Sequence, residues 1–184
     1  MYRGQEEIRR YYRIRRLGKA ERIGSFDCGD ADLNDFILNE STFYREALLA
    51  ESYVFERREI KESVAYFSLA NDRISLTDFE SKTAFNRFRK RRFVNEKRLK
   101  SYPAVKICRF AVDLSMKGQS VGSFLLNFIK SYFLDENKTG CRFITVDAYA
   151  AAVPFYLKNG FVPLTSEDAM SATRLLYFDL NDIA

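Results

Sequence analysis

Histidine is absent from these 184 residues, and no other absence removes as much chemistry. Without imidazole there is no Ser/His or Cys/His nucleophilic pair, no zinc site of the usual kind and no side chain that titrates near neutrality unperturbed. No metal is expected. Tryptophan is also missing, proline occurs three times, and the three cysteines at 28, 108 and 141 are odd in number and widely spaced. A disulfide framework is therefore not expected, and the cysteines read as buried free thiols. No apolar run reaches the roughly 18 residues of a membrane span, and the opening MYRGQEEIRRYYRIRR has no secretion-signal core. The expectation is a cytoplasmic protein without membrane contact, in which any catalysis uses Tyr, carboxylates, Lys, backbone amides or water.

Large apolar side chains are plentiful, with 17 Phe and 11 Tyr in a chain that is 47% hydrophobic. That is enough for one core, and a single domain over residues 1–184 is expected. The net charge of +5 is uneven: residues 1–22 hold eight Lys/Arg against three Glu, and residues 86–106 hold nine against one. The second block interleaves Phe88, Phe93 and Tyr102 with its cations. Such a block suits RNA, through phosphate contacts and base stacking, and equally suits a solvated helix face or an acidic partner.

Along the chain, FDCGDADLNDFILNESTFYREALLAE reads as a turn and then helices, with Asp30 and Ser41 as N-caps and Leu33, Phe36, Ile37, Phe43, Tyr44, Ala47 and Leu48 as the apolar stripe. SYVFERR and ESVAYFSLANDRISL alternate like an antiparallel strand pair turning near residues 58–61. Pro103 is read as ending the basic block. AVKICRFAVDL is a central strand by its nearly continuous apolar run, with Cys108 in the core. After it come a helix in GQSVGSFLLNFIKSYFLDEN, a strand in CRFITVDA, a short helix closing on Gly160, and two final strands. The fold class expected is α/β in the broad sense (α+β): a mixed, mostly antiparallel central sheet flanked by helices.

KGQSVGSFLL follows the central strand directly, so a strand, a glycine-bearing turn and a helix stand in succession. Unpaired amides at the positive end of a helix dipole bind phosphate, and Gly118 and Gly122 carry no Cβ to hold an anion away. Ser120 and Ser123 add hydroxyl donors. Neither a Walker loop nor a GxGxxG fingerprint is present. Taken alone, the stretch reads first as an ordinary helix start with glycines for packing.

With its neighbours it says more. RFAVDLSMKGQSVGSFLL followed by FITVDAYAAAVPFYLKNGFVPL resembles the GNAT superfamily of acyl-CoA-dependent N-acyltransferases, whose Arg/Gln-x-x-Gly-x-Gly/Ala loop and later Tyr-x-x-x-Gly-Phe segment fall here on Lys117–Gly122 and on Tyr156, Gly160 and Phe161. The resemblance implies acetyl-CoA as cosubstrate in a strand-loop-helix site. Its pyrophosphate would lie on amides of Lys117, Gly118, Gln119, Ser120, Val121, Gly122 and Ser123, and its pantetheine arm on the backbones of Phe110, Ala111 and Val112. Val112 N–H would face the thioester carbonyl, Tyr156 would protonate the departing thiolate, and Asp113 and Asp147 are candidate bases through water.

Lys117 replaces the family's Arg/Gln, Ser120 a glycine, and Tyr149 an Asn that bonds the pantetheine in many members. Ser120 costs little at negative φ and strains the loop at positive φ. FDCGDADLNDFI resembles the opening of the toxin-like GNAT branch, which acetylates aminoacyl-tRNA and pairs with small DNA-binding antitoxins. The partners implied are an amine-bearing acceptor (small molecule, protein or aminoacyl-tRNA), an antitoxin and, since such relatives are often dimers, a second copy. The readings carried forward are an N-acetyltransferase of unspecified acceptor, a toxin-type enzyme acting on aminoacyl-tRNA, and a non-catalytic RNA- or partner-binding module with a decayed acyl-CoA site.

Overall fold

A computed structural model describes residues 10–95, 98–135 and 139–183. Residues 1–9 of the first basic block and residues 96 and 97 of the second lie outside the described residues. The strands are β1 (Tyr12–Arg16), β2 (Glu51–Arg57), β3 (Ser63–Ser75), β4 (Ser101–Val112), β5 (Phe143–Tyr149), β6 (Val162–Pro163) and β7 (Thr173–Asp179). The helices are α1 (Ala31–Asp35), α2 (Ser41–Glu46), α3 (Lys82–Lys90), α4 (Val121–Asp135) and α5 (Val153–Lys158), with a π-helical segment Phe36–Glu40 joining α1 to α2. The sheet runs β1-β2-β3-β4-β5-β7-β6, antiparallel except for the β4–β5 pair, which is the expected mixed class. No described helix is long and apolar enough to cross a membrane.

The chain divides into two compact units, Met1–Ala70 with Ile107–Leu125, and Asn71–Lys106 with Leu126–Ala184. In the first, Leu17, Phe26, Cys28, Phe36, Ile37, Val54, Tyr66 and Ala111 form a buried cluster. Arg45 is buried in this unit and, among the described residues, has no carboxylate partner: it donates to the carbonyls of Gly18 and Glu21 and to Ser41 Oγ, which ties the loop after β1 to α2. The sequence reading placed a helix start at Ser41 and an inward stripe through Phe43, Tyr44 and Leu48. Asp30 is the N-cap as expected, accepting from Leu33 N–H at 3.0 Å. Ser41, however, lies inside the helical run, with its hydroxyl on Ile37 O at 3.1 Å. The π segment puts one extra residue into the turn, so the buried face after it is Ser41, Thr42 and Arg45, while Phe43 and Leu48 are 62% and 71% exposed.

In the second unit Ile74, Phe85, Phe88, Tyr102, Ala104, Phe143, Leu164 and Tyr177 form the core cluster. This corrects part of the RNA expectation. Phe88 and Tyr102 are buried, and Phe93 stacks on Tyr102 with centroids 4.0 Å apart, so the aromatics of the basic block are packed inward rather than offered to bases. Several of its cations are also engaged: Arg92 lies 4.2 Å over the Phe88 ring and pairs with Asp179, and Arg89 donates to the carbonyls of Arg98 and Leu99. Arg87, Lys90, Arg91 and Lys100 of the block remain exposed, as does Lys82 just before it. Pro103 does not end a helix but sits third in β4, where its carbonyl accepts from Arg142 N–H at 2.9 Å.

Candidate active site

The stretch Phe110–Ser123, expected from the sequence to bind phosphate, belongs wholly to the first unit. Phe110, Ala111 and Val112 close β4, and Asp113 N–H bonds Val64 O at 2.9 Å, fixing the strand end to β3. Asp113 then caps a short turn at Leu114–Met116. Lys117, Gly118, Gln119 and Ser120 form an exposed turn, and Val121 begins α4. The first helical bond runs from Phe124 N–H to Ser120 O at 3.0 Å. The amides of Val121, Gly122 and Ser123 precede it and have no carbonyl within the helix.

Gly118 and Ser120 have φ of +77° and +59°, on either side of Gln119 at negative φ. Such alternation aims successive N–H groups into a concavity that suits an anion. The space where a Gly118 Cβ would sit is open, so glycine is needed there for its φ and not for room. Ser120 takes the strained alternative of the sequence reading, at about 1–2 kcal/mol for an L-residue in this region.

The cysteine-glycine segment of the same unit braces this turn. Asp27 Oδ1 accepts from Gly29 N–H at 2.8 Å and from Asn34 Nδ2 at 2.9 Å, while Asn34 Oδ1 accepts from Cys28 N–H at 2.9 Å. Asp27 N–H reaches Asp113 Oδ2 at 3.0 Å, and Asp27 O accepts from Leu114 N–H at 2.9 Å. Gly29, at φ +82°, lies so close that a Cβ would stand 3.4 Å from Leu114 Cδ2 and 3.7 Å from Lys117 Nζ. Cys28 is a buried structural thiol whose pKa is pushed up by burial. Asp113 serves here as a strand-end cap. Burial raises its pKa, but bonds from the Ser115 amide and hydroxyl and from Asp27 N–H outweigh this and lower it, which makes a poor base.

The second unit holds the remaining candidates. Pro154 at the start of α5 fits its first turn, where no N–H is needed, and Tyr156 is buried between Phe155 and Phe161 at ring-centroid distances of 5.2 and 5.4 Å. Burial pushes its phenol well above the ordinary value, so it is fully protonated at neutral pH. The helix ends on Gly160, whose φ of +83° lets Phe161 N–H return to Tyr156 O at 3.1 Å. Tyr149 ends β5 at 59% exposure, and Asp147 pairs with Lys106.

Lys130 was not expected to matter. On α4 it is only 8% exposed, its Nζ donates to Asn159 O at 2.6 Å and lies 4.0 Å over the Phe178 ring, and desolvation lowers its pKa. Its place one position round from Leu125 and Ile129 was the available signal, but a lysine there reads as surface.

Residues 57–177, from the end of β2 into β7, match the family described as an acetyltransferase (GNAT) domain. Among solved structures, a crystal structure of a KacT mutant is similar at 21% identity and a TM-score of 0.75, covering 94% of this chain and 97% of that one. AtaT complexed with acetyl-methionyl-tRNAfMet is similar at 23% identity and 0.71, covering 94% and 96%, and AtaTR bound with AcCoA at 24% and 0.71, covering 95% and 96%. Likeness at these identities speaks to the fold, and the match over residues 57–177 to the family: this chain belongs to the GNAT acetyltransferases, enzymes that draw their acetyl group from acetyl-CoA.

Proposed function

We propose that the chain, acting as one catalytic domain over residues 1–184, transfers the acetyl group of acetyl-CoA to the α-amine of an aminoacyl-tRNA. The observation that carries this reading is the exposed turn Lys117–Ser120 running into α4, braced by the Asp27–Asn34 segment that the sequence shares with the toxin-like branch. Support for the acceptor comes from the similarity to AtaT, which is described in complex with acetyl-methionyl-tRNAfMet.

Acetyl-CoA supplies a thioester carbonyl that an unprotonated amine attacks. In this reading the amides of Gly118 and of residues 120–123 hold its pyrophosphate, those of Lys117 and Gln119 being already bonded to Leu114 O and Met116 O, and the Lys117 side chain adds a point charge. The backbones of Phe110, Ala111 and Val112 align the pantetheine arm, and Val112 N–H stabilises negative charge developing on the carbonyl oxygen. Tyr156, neutral because it is buried, gives its proton to the departing sulfur. Tyr149, too exposed to be a core residue, covers the arm where relatives use Asn. An α-amine with a pKa near 8 is an easier acceptor than a lysine near 10, and it needs little help from a base in a protein without histidine.

A small DNA-binding antitoxin belongs to the same reading, since among the similar structures one is described as an AtaT mutant toxin bound to the C-terminus of the antitoxin AtaR and another as a KacTA–DNA complex. The experiment is acetyl transfer from labelled acetyl-CoA to a pool of charged tRNA, read with acetyl-CoA titration and with growth on expression. Label on the aminoacyl group and growth arrest are the expected results. Acetyl-CoA binding with label on small amines or proteins alone would remove the tRNA reading and leave the enzyme.

A further inference from the structure

The roles above leave the adenosine end of acetyl-CoA without a seat. At the start of β1 and the β2–β3 hairpin, the first unit holds a cavity of about 260 Å³ lined by Tyr11, Tyr12, Arg57, Glu59 and Ile60. A cavity of about 150 Å³ accepts benzene, so this one has room for a fused pair of rings. Tyr11 and Ile60 are 50% and 64% exposed, large apolar surfaces left in water on its wall.

Three observations identify the occupant. The first is position. Tyr12 pairs with Arg57 across β1 and β2, and Asp113 N–H bonds Val64 O, so the start of β1, the hairpin and the end of β4 share one end of the sheet. The Tyr12 ring stacks on Phe55, which packs against Phe124 near the start of α4, and its hydroxyl reaches Met116 Sδ at 3.7 Å. A wall of the cavity therefore touches the residue before Lys117. The second is the chemistry of the lining. Tyrosine rings and Arg57 offer faces on which a base can stack, and the Glu59 carboxylate accepts from an exocyclic amino group while it repels phosphate from the interior. Arg57 Nε lies 3.3 Å from Glu62 Oε2 but is buried without a hydrogen-bond partner among the described residues, which leaves a donor for a ring nitrogen. The third is charge. Arg10, Arg58 and Lys61 flank the lining residues in sequence and are exposed, whereas Arg13 and Arg15 of the same basic block are held by Glu56 and Glu21. Ring surface and an acceptor within, with cations outside, suit a base whose ribose carries a phosphate.

We propose that this cavity seats the adenine of acetyl-CoA, with the phosphate on the ribose beside Arg10, Arg58 and Lys61. This rests on the pyrophosphate placement given above, on the amides of Gly118 and of residues 120–123. Stacking on aromatic side chains is worth roughly 5–150-fold in affinity per base, so the nucleoside end contributes measurably to cosubstrate binding.

The test is calorimetric titration of wild type and the double variant Tyr11→Ala/Ile60→Ala with acetyl-CoA and with S-acetyl-phosphopantetheine, which keeps a phosphate and lacks the nucleoside. Thermal melting checks that the variant folds, as the exposure of both side chains leads us to expect. Acetyl-CoA should bind the variant about 5–150-fold more weakly, and the phosphopantetheine thioester should bind both proteins alike. In wild type, adenosine bisphosphate should shift the Ile60 methyl signals in an NMR spectrum, and an unmoved spectrum would contradict the proposal. Equal weakening of both thioesters would make the cavity a mere support for the turn and overturn it. Unchanged acetyl-CoA binding would place the adenine elsewhere and overturn it too; a loss of affinity for a single-stranded RNA oligonucleotide in that variant would then assign the cavity to an RNA base. Gly122→Glu tests the pyrophosphate placement separately and should weaken both thioesters. If it weakens neither while the double variant loses acetyl-CoA alone, the adenine seat stands and the pyrophosphate lies off the turn.

Discussion

At the residue scale, Ser120 stands where the family pattern has glycine. Its φ of +59° costs about 1–2 kcal/mol, whereas a glycine would give up roughly 0.5–1 kcal/mol of extra chain entropy. The first effect exceeds the second, so Ser120→Gly should raise the melting temperature by about 1–4 °C and leave acetyl-CoA affinity equal or better. A lower melting temperature would mean that the hydroxyl stabilises the turn. Tyr156 gives the complementary prediction. Tyr156→Phe should lower kcat about 10²-fold or more with acetyl-CoA affinity within about threefold. Because burial raises the phenol, wild-type kcat/KM should climb through the pKa of the acceptor amine near 8 and show no fall by pH 9.5. A descending limb below pH 9.5 that is absent in Tyr156→Phe would assign the phenol an ordinary pKa and contradict its burial.

At the scale of elements, legibility tracked how local each cause was. The β2–β3 turn, the strand before the Lys117–Ser120 turn and the Gly160 helix end were readable because each depends on neighbours in sequence: alternation, a continuous apolar run, and a glycine where the chain must adopt positive φ. The α1–α2 region was misread because a π segment has no sequence period of its own, and one inserted residue re-aims every later side chain. Lys130 was missed for a related reason, since its partners, Asn159 O and Phe178, are remote in sequence.

Lys130 fastens α4 to the end of α5, the helix that carries Tyr156, and it does so as a desolvated cation. Its folded-state pKa is lowered, so below the ordinary lysine value of 10.5 there is a window in which the unfolded chain holds a proton that the folded chain has lost. Stability contributed by this group therefore rises with pH through that window. Lys130→Met removes that dependence, so the urea midpoint of wild type should gain on the variant as pH rises toward 10.5. A constant difference would mean that Lys130 titrates alike in both states. The same variant should reduce kcat, through α5, more than it affects the KM for acetyl-CoA.

For the whole molecule, net charge was the easiest property to read and the easiest to over-read. The second basic block looked like a stacking surface because Phe and Tyr alternate with Arg and Lys. In the fold, the amphipathic α3 turns Phe85 and Phe88 inward and keeps only a cationic face outside. What survives for a polyanion is charge without base contact: Lys82, Arg87, Lys90, Arg91 and Lys100. Contacts of that kind are made to phosphates, carry little sequence information and release counterions. If this face holds the acceptor tRNA, changing Arg87, Lys90 and Arg91 together to Gln should weaken binding equally for all charged tRNAs. It should also flatten the plot of log K against log salt by roughly 0.7–0.9 per lost phosphate contact, a total of about two to three. Melting temperature should change little, because none of the three contributes to the Phe88–Tyr102–Phe143 cluster. Weaker binding with an unchanged salt slope would show that these cations do not touch phosphate. An unchanged affinity would show that this face does not hold the tRNA.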